Sequence, residues 1–391
     1  MKHVALIIPT LDRIGGAERQ TLLLAGRLRQ RGWRVSVLAL SGNGGNAAPE
    51  LMVQGVAFLS LGMRRGLADP RGWIRYHRWL RIEQPEVVHA HLPHATWLAR
   101  WSRLAAPSRV LLDTLHSSAT GTGGRKLGYR LSDWLTDRVT AVSRATAEGH
   151  LAAHMVNPGK LSVLPNGINL DKWRPNREAR PSIRRELGIQ EEFLWFAAGR
   201  LEPVKDYPTL LRALVDLPEP FRLVIAGIGS LHQELQSLAR HLRVLDRVTF
   251  LGFESNVLRW MQAADGFVLC SRWEGLPMAL IEACACALPA VITDVPGTQE
   301  VLPCAQSGLL VAAGDASALH AAMTQLMEMP LEEQQALGRR ARRKVQDSFS
   351  LEHVVDQWEQ LYRTLLEQNP RPTHSGLRSG SPLMLSSDRL S

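Results

Sequence analysis

The chain has 391 residues, 45% hydrophobic and 21% charged, with a mean hydropathy of −0.10. At about 100–200 residues per domain this length favours two domains, and the balance excludes a disordered or collagen-like chain. No apolar run reaches the roughly 18–20 residues that span a bilayer, because the richest stretch, Ala279 to Ile292, is broken by Glu282 and Pro289. The net charge of +9 is unevenly distributed: residues 1–180 carry 26 Lys and Arg against 12 Asp and Glu, a local +14, and the remainder carries −5. An N-terminal half of that sign faces something anionic: a membrane surface, a phosphate-bearing partner or nucleic acid.

The start, MKHVALIIPT, has a short apolar run that stops at Pro9 without a small-residue cleavage site, so it reads as a buried first strand and points to a cytoplasmic protein. In the first half, strands are predicted at Val4–Ile8, Val35–Leu40, Val56–Leu59, Val87–His89, Val110–Thr114, Val139–Val142 and Leu161–Leu164, with helices between them. A polar segment over 171–190, punctuated by Pro175 and Pro181, reads as a linker between an N-terminal domain (1–170) and a C-terminal one (191–350). The pattern restarts with strands at Leu194–Ala198, Arg222–Ala226, Val248–Leu251, Gly266–Leu269, Ala290–Thr293 and Gly308–Val311. Strands alternating with helices in this way predict an α/β fold of two doubly wound, Rossmann-like domains facing a cleft, with ligands beyond the carboxyl ends of the strands. Gln334–Val345 and Leu351–Leu366 read as closing helices, the second (351–368) expected to pack back on the N-terminal domain, and the Ser-, Pro- and Arg-rich tail over 369–391 as disordered. The four cysteines, Cys270, Cys284, Cys286 and Cys304, form no CxxC pair, and reduced thiols without a metal are expected.

Chemistry concentrates in Ser271-Arg272-Trp273-Glu274-Gly275-Leu276-Pro277-Met278-Ala279-Leu280-Ile281-Glu282. A strand ends before it and a helix starts near Pro277, which places Glu274 in the loop and Glu282 about one and a half turns into the helix. Two carboxylates so placed can accept hydrogen bonds from two sets of hydroxyls on one elongated polar ligand. A helix-terminal charge plus an exposed helix residue would fit the spacing too, but the apolar neighbours of Glu282 argue against exposure. Arg200 and Lys205, after the first strand of the second half, stand where two cations would stabilise a departing diphosphate; salt bridges to Glu202 and Asp206 are the plainer alternative. Gly227, in Ala226-Gly227-Ile228-Gly229, suits close approach of a ligand to the backbone. In the first half, Gly15-Gly16 opens a helix and aims backbone N–H groups at an anion, without the full dinucleotide fingerprint. His116 lies past a strand end, fit either for a sugar hydroxyl or for the bare surface, and His89, His91 and His94 cluster without zinc spacing. Arg71–Arg81 and Trp97–Arg103 interleave tryptophans with arginines at helical spacing, as in a helix at a membrane interface or in a half-buried helix whose rings pack inward. No nucleic-acid module is visible, and no such partner is expected.

In this order and spacing the motifs resemble the retaining, nucleotide-sugar-dependent glycosyltransferases of family 4, which have the GT-B fold. The residues that carry the resemblance are Gly15-Gly16-Ala17-Glu18-Arg19, Val88-His89-Ala90-His91, His116, Val142-Ser143, Pro165-Asn166-Gly167-Ile168, Gly199-Arg200-Leu201 with Lys205, and Glu274 to Glu282, which looks like the family's E-x7-E. The resemblance implies that Arg200 and Lys205 bind the donor diphosphate, Glu282 the ribose and Glu274 the donor sugar. It makes His116 the active-site histidine and Gly16 the glycine of the cleft loop. Gly227, Gly275 and Leu276 join the donor site, and Gly15 and His91 face the acceptor. It further implies retention of configuration by front-face attack, with no cofactor and no metal, the cationic pair taking the place of a divalent ion. A UDP-sugar is the favoured donor and a saccharide or lipid-linked acceptor the expected partner, with peripheral contact of the N-terminal domain on an anionic membrane. Two departures stand out: Gly-Leu-Pro-Met follows Glu274 where many relatives have Gly-Phe-Gly, and Asp294-Val295-Pro296-Gly297 stands where a Gly-Gly pair is common. The rival expectations are a non-catalytic protein that holds polyanions and a GT-B sugar-nucleotide epimerase.

Overall fold

The computed structural model describes residues 1–370 except 13, 65, 118–120, 122, 177 and 303–306. The sequence-based expectations for Cys304 and for the tail beyond residue 370 lie outside the described residues. In the N-terminal lobe β1 (His3–Ile8), α1 (Gly16–Gln30), β2 (Arg34–Ala39), α2 (Ala47–Val53), β3 (Ala57–Ser60), α3 (Pro70–Glu83), β4 (Val87–His91), α4 (Pro93–Ser102), β5 (Val110–Leu115), α5 (Gly123–Ser132), β6 (Arg138–Ala141), α6 (Arg144–Ala152) and β7 (Leu161–Val163) alternate. The second lobe runs α7 (Arg180–Glu186), β8 (Phe193–Ala198), α8 (Tyr207–Ala213), β9 (Phe221–Ala226), α9 (His232–His241), β10 (Val248–Gly252), α10 (Val257–Ala263), β11 (Gly266–Leu269), α11 (Met278–Ala285), β12 (Ala290–Thr293), α12 (Pro296–Val301), β13 (Leu309–Val311), α13 (Ala316–Glu328) and α14 (Leu331–Phe349). A last helix, α15 (Leu351–Gln368), follows.

Both sheets are wholly parallel, ordered β3-β2-β1-β4-β5-β6-β7 and β10-β9-β8-β11-β12-β13. The order reverses beside β1 and beside β8, and the crevice at such a switch point opens at the carboxyl ends of the strands. Strands buried on both faces need near-continuous apolar sequence, which HVALII and FLWFAA supply. Leu6, Ile8 and Val37 pack under α1 and α15 on one face of the first sheet, while Ile7, Leu38 and Val88 pack under α3 and α4 on the other.

The chain crosses between lobes twice, side by side: Ile168 N–H donates to the Phe349 carbonyl at 2.8 Å and Leu351 N–H to the Ile168 carbonyl at 2.9 Å. Leu351, Val354, Val355, Trp358, Tyr362, Leu365 and Leu366 of α15 lie in the core of the N-terminal lobe.

The segment expected as a linker is structured. It holds α7, with Pro181 tolerated in the first turn, and its Ile183 and Ile189 are buried in the core of the second lobe together with Trp173. Arg184 and Arg180 of α7 both pair with Asp265 ahead of β11. Scattered apolar residues in a polar background hid this helix from periodicity.

The Trp–Arg stretches also resolve in part into packing. Trp73 and Trp79 of α3 are half-buried against the core, and Arg100 of α4 is fully buried. Its guanidinium forms two bonds with the Asp113 carboxylate, at 3.0 and 3.1 Å, and further bonds with the Tyr129 carbonyl and Ser132 Oγ. Apolar residues remain outward elsewhere on this lobe: Leu127 and Leu131 of α5 and Trp134 beyond it are all exposed.

Candidate functional site

In the second lobe the site is built on loops beyond β8, β9, β11 and β12. Glu274, past β11, accepts from Lys205 Nζ at 2.5 Å and from Ser271 Oγ at 2.6 Å, so its carboxylate is held on two sides. Lys205 ends the turn over 203–205, which Cys270 Sγ and Arg272 N–H tie to the loop beyond β11 through the carbonyls of Lys205 and Val204. The plainer alternative for the cations is set aside locally: Asp206 is bonded to Arg272 at 3.1 Å and Glu202 to the Ser230 N–H and hydroxyl at 3.1 and 3.0 Å, while Arg200 is exposed at the mouth of β8.

Two glycines are required by close approach. A Cβ on Gly227 would sit 1.9 Å from the Gly199 carbonyl oxygen, backbone against backbone, and a Cβ on Gly297 would sit 2.5 Å from the Glu274 carbonyl oxygen. Of the Asp-Val-Pro-Gly sequence, which stands where a Gly-Gly pair is common, Gly297 is the position that close approach requires. Val295 stays extended, Pro296 opens α12, and Thr298 Oγ1 closes the turn onto the Thr293 carbonyl at 2.6 Å. Gly275 is buried and Leu276 half-buried beside Glu274.

Glu282 stands in α11 among Leu280, Ile281, Ala283 and Cys284, all fully buried, and is itself 8% exposed. Its partner comes from the other lobe: Arg19 Nη1 of α1 lies 3.2 Å from Glu282 Oε1. Burial outweighs the nearby Arg19 and Lys172 and pushes this carboxyl up to about 7. Gly15 and Gly16 precede Arg19 at the N-terminus of α1; Gly15 N–H donates to Glu18 Oε2 at 3.0 Å, and the space beside the Gly16 Cα is open. Glu300 of α12 ties the lobes again, its carboxylate accepting from the N–H groups of Arg144 and Ala145 at the start of α6, at 2.8 and 2.9 Å.

His116 lies just past β5, and its Nε2 is 3.0 Å from His91 Nδ1. Burial lowers the His116 ring to about 4, so it is neutral at pH 7. His91 is 2% exposed behind it and does not reach the surface of the cleft, contrary to its expected place facing an acceptor. The strand runs two residues further than its apolar pattern indicated, and that extension draws His91 inside. Among the described residues, no group of three or more His, Cys, Asp or Glu side chains is placed to hold a metal ion, and no helix is long and apolar enough to cross a membrane.

Arg19 is the site residue whose partner sequence spacing could not reveal, since 263 positions separate it from Glu282. The signal present was its place three residues after a glycine pair that opens a helix.

Two parallel, doubly wound lobes joined by a double crossing make up the GT-B fold. Residues 14–172 match the model of Glycosyltransferase Family 4 and residues 179–344 that of Glycosyl transferases group 1. The chain belongs to this family of glycosyltransferases, family 4 (group 1). Among its relatives, the Escherichia coli UDP-Gal:alpha-D-GlcNAc-diphosphoundecaprenol alpha-1,3-galactosyltransferase is 24% identical over 76% of this chain and 80% of its own. The N-acetyl-alpha-D-glucosaminyl L-malate synthase of Bacillus anthracis is 28% identical over 73% and 77%. Among solved structures, Anabaena HepE in complex with UDP and glucose superposes with a TM-score of 0.80 at 19% identity, covering 93% of this chain and 100% of that one. WaaG, a glycosyltransferase involved in lipopolysaccharide biosynthesis, gives 0.68 at 18%, covering 92% and 99%.

Proposed function

We propose that this glycosyltransferase moves a sugar, with retention of configuration and without a metal ion, from a UDP-sugar to a saccharide or lipid-linked acceptor in cell-surface polysaccharide or lipopolysaccharide synthesis. The observation that carries the reading is the pair of carboxylates, each held against a cation: Glu274, in the loop beyond β11, by Lys205 of its own lobe, and Glu282, in α11, by Arg19 of the other lobe. In this reading Glu274 takes the hydroxyls of the donor sugar and Glu282 those of the ribose, while Arg200 and Lys205 hold the diphosphate. The bond from the anomeric carbon to the phosphate oxygen breaks as the acceptor oxygen attacks from the same face. The acceptor's proton passes to the leaving phosphate oxygen, whose charge the two cations stabilise. That role for cations leaves no task for a divalent ion.

Gly227, Gly275 and Leu276 shape the donor pocket, and Gly16 offers backbone N–H groups at the start of α1. The acceptor lies against the N-terminal lobe near Gly15 and His116. The positive charge of that lobe suits an acceptor bearing phosphate, and the outward Leu127, Leu131 and Trp134, flanked by Lys126 and Arg130, suit peripheral contact with an anionic inner leaflet. UDP and diphosphoundecaprenol in the names of relatives support the donor and the acceptor class.

The test is a thermal-shift panel of UDP- and GDP-sugars with their free nucleotides, since a ligand bound by the folded state raises its melting temperature. Stabilisation by UDP and one UDP-sugar, followed by EDTA-insensitive transfer of that radiolabelled sugar to membrane lipid extracts in an α linkage, is the expected result. Stabilisation by GDP alone, an inverted product or no stabilisation at all rejects the corresponding part of the reading.

A further inference from the structure

Three histidines form a layered array behind the N-terminal wall of the cleft. His89 and His91 are two apart on β4, so both side chains leave the same face of the sheet, and their ring centroids are 4.1 Å apart. His116 lies in front of His91. Helix α15 closes the array from behind, with the Trp358 ring 4.7 Å from that of His89 and the Tyr362 hydroxyl 2.7 Å from His89 Nδ1. Burial holds all three histidines below their ordinary range, and all are neutral at pH 7.

The direction of each hydrogen bond around His89 follows from its neighbours. The Thr140 hydroxyl donates to the Asp113 carbonyl at 3.3 Å and so accepts from Thr114 Oγ1 at 2.7 Å. Thr114 then accepts from His89 Nε2–H at 2.6 Å, which leaves Nδ1 as a lone pair for the Tyr362 hydroxyl. The chain closes with His89 neutral, and a ring turned over would take both nitrogens away from Thr114 and Tyr362. His91 rests on that fixed ring.

His91 and His116 share one proton between Nδ1 and Nε2. With both rings neutral, the position of that proton dictates the other edge of His116. If His91 Nδ1 carries it, His116 must carry its own proton on Nδ1; if His116 Nε2 carries it, Nδ1 is a lone pair. His91 Nε2 and His116 Nδ1 have no partner among the described residues. Both rings line a cavity of about 20 Å³ with Gln20, Asn166 and Trp358, room for one water.

We infer that His91 is a positioning residue for sugar transfer: held by His89 from beneath, it fixes the ring of His116 and sets whether its buried Nδ1 presents a donor or an acceptor to the small cavity behind the reacting groups. The inference rests on the proposed place of His116 at the reacting centre. It assigns His91 to the wall behind the cleft rather than to acceptor contact.

Two variants of equal polarity separate positioning from packing. In His91→Asn the amide occupies the place of Nδ1 and keeps a bond to His116; in His91→Gln it reaches the place of Nε2 and points away. With UDP release from UDP-glucose, UDP-galactose and UDP-N-acetylglucosamine as the readout, His91→Gln is expected to lower kcat about 10–100-fold with donor KM within about twofold, because a misaligned group costs turnover before binding. His91→Asn is expected to recover kcat to within about fivefold of the wild type. Ring-nitrogen NMR is expected to show His116 as one tautomer in the wild type and His91→Asn, and as a mixture in His91→Gln. Should His91→Gln not fold, His91→Met serves with the same expectations. Wild-type kcat in His91→Gln alongside an inactive His116→Ala overturns the positioning role alone. Wild-type kcat in His116→Ala instead removes His116 from the reacting centre and with it the basis of the inference. A single His116 tautomer in every variant overturns the inference even where none of the three sugars is turned over.

Discussion

The buried carboxyl of Glu282 makes the stability of the protein depend on pH with a sign opposite to that of most acidic residues. Its folded-state value of about 7 lies above its ordinary value of 4.5, so the folded chain prefers it protonated. Its contribution to stability is fully present below about pH 4.5 and is lost as pH rises through about 7. Between about pH 5.5 and about pH 8 that loss integrates to about 2 kcal/mol. His89, His91 and His116 act the other way: their folded values are lowered, so their contribution is present above about pH 6.5 and lost as pH falls.

The wild type alone therefore mixes two opposed slopes, and the difference from Glu282→Gln, which keeps the shape but cannot ionise, isolates the carboxyl. Urea unfolding followed by tryptophan fluorescence at the two pH values is the assay. The wild type should lose about 2 kcal/mol relative to Glu282→Gln on going from about pH 5.5 to about pH 8. A wild-type-minus-variant difference that is the same at both values refutes the claim that burial controls this group.

Lys205→Ala and Glu274→Ala should each lower transfer at least about 100-fold while leaving the melting temperature within a few degrees, since both side chains sit on loops outside the core; turnover and thermal melts read the two effects. Gly227→Ala drives a Cβ into the Gly199 carbonyl oxygen, which is backbone and cannot swing away, so it should cost at least about 2 kcal/mol in a denaturation series. Arg100→Met strands the buried Asp113 carboxylate and should cost about 3–5 kcal/mol, whereas adding Asp113→Leu should recover most of it. A double variant no more stable than the single one would show that the pair itself holds the lobe together.

The alternation of strands and helices, the two lobes and the loop-then-helix placement of Glu274 and Glu282 were legible because each is a local pattern of apolar period and turn chemistry. Contacts across the lobes were not, since Arg19 and Glu282 meet through topology and no spacing encodes it. His91 and Arg100 illustrate a third case, in which polar residues at surface-like spacing are buried by partners on neighbouring strands. A signal existed for both: His89 and His91 alternate at the period of a strand, and Asp113 sits inside VLLDTL, where a carboxylate buried on both faces demands a cation. Read as a pair, Asp113 and an arginine on the preceding helix would have turned WLARWSR inward. The helix over Arg180–Glu186 escaped because its buried Ile183 is a single residue in a run of charges.

The two carboxylates of the cleft are satisfied differently, and the difference bears on how a ligand would enter. Glu274 is bonded within its own lobe to Lys205 and Ser271, so hydroxyls that replaced the ammonium would free Lys205 for a phosphate beside it without moving either lobe. Glu282 is bonded across the cleft to Arg19, which is itself 44% exposed by its side chain. A ribose that took Glu282 would have to displace that guanidinium and give up a contact between lobes. The tie between Glu300 and the start of α6 does not involve Glu282 and would persist. Exchange at Glu282 would therefore loosen one edge of the contact between lobes while the edge at Glu300 holds, and would release the Arg19 guanidinium from its partner.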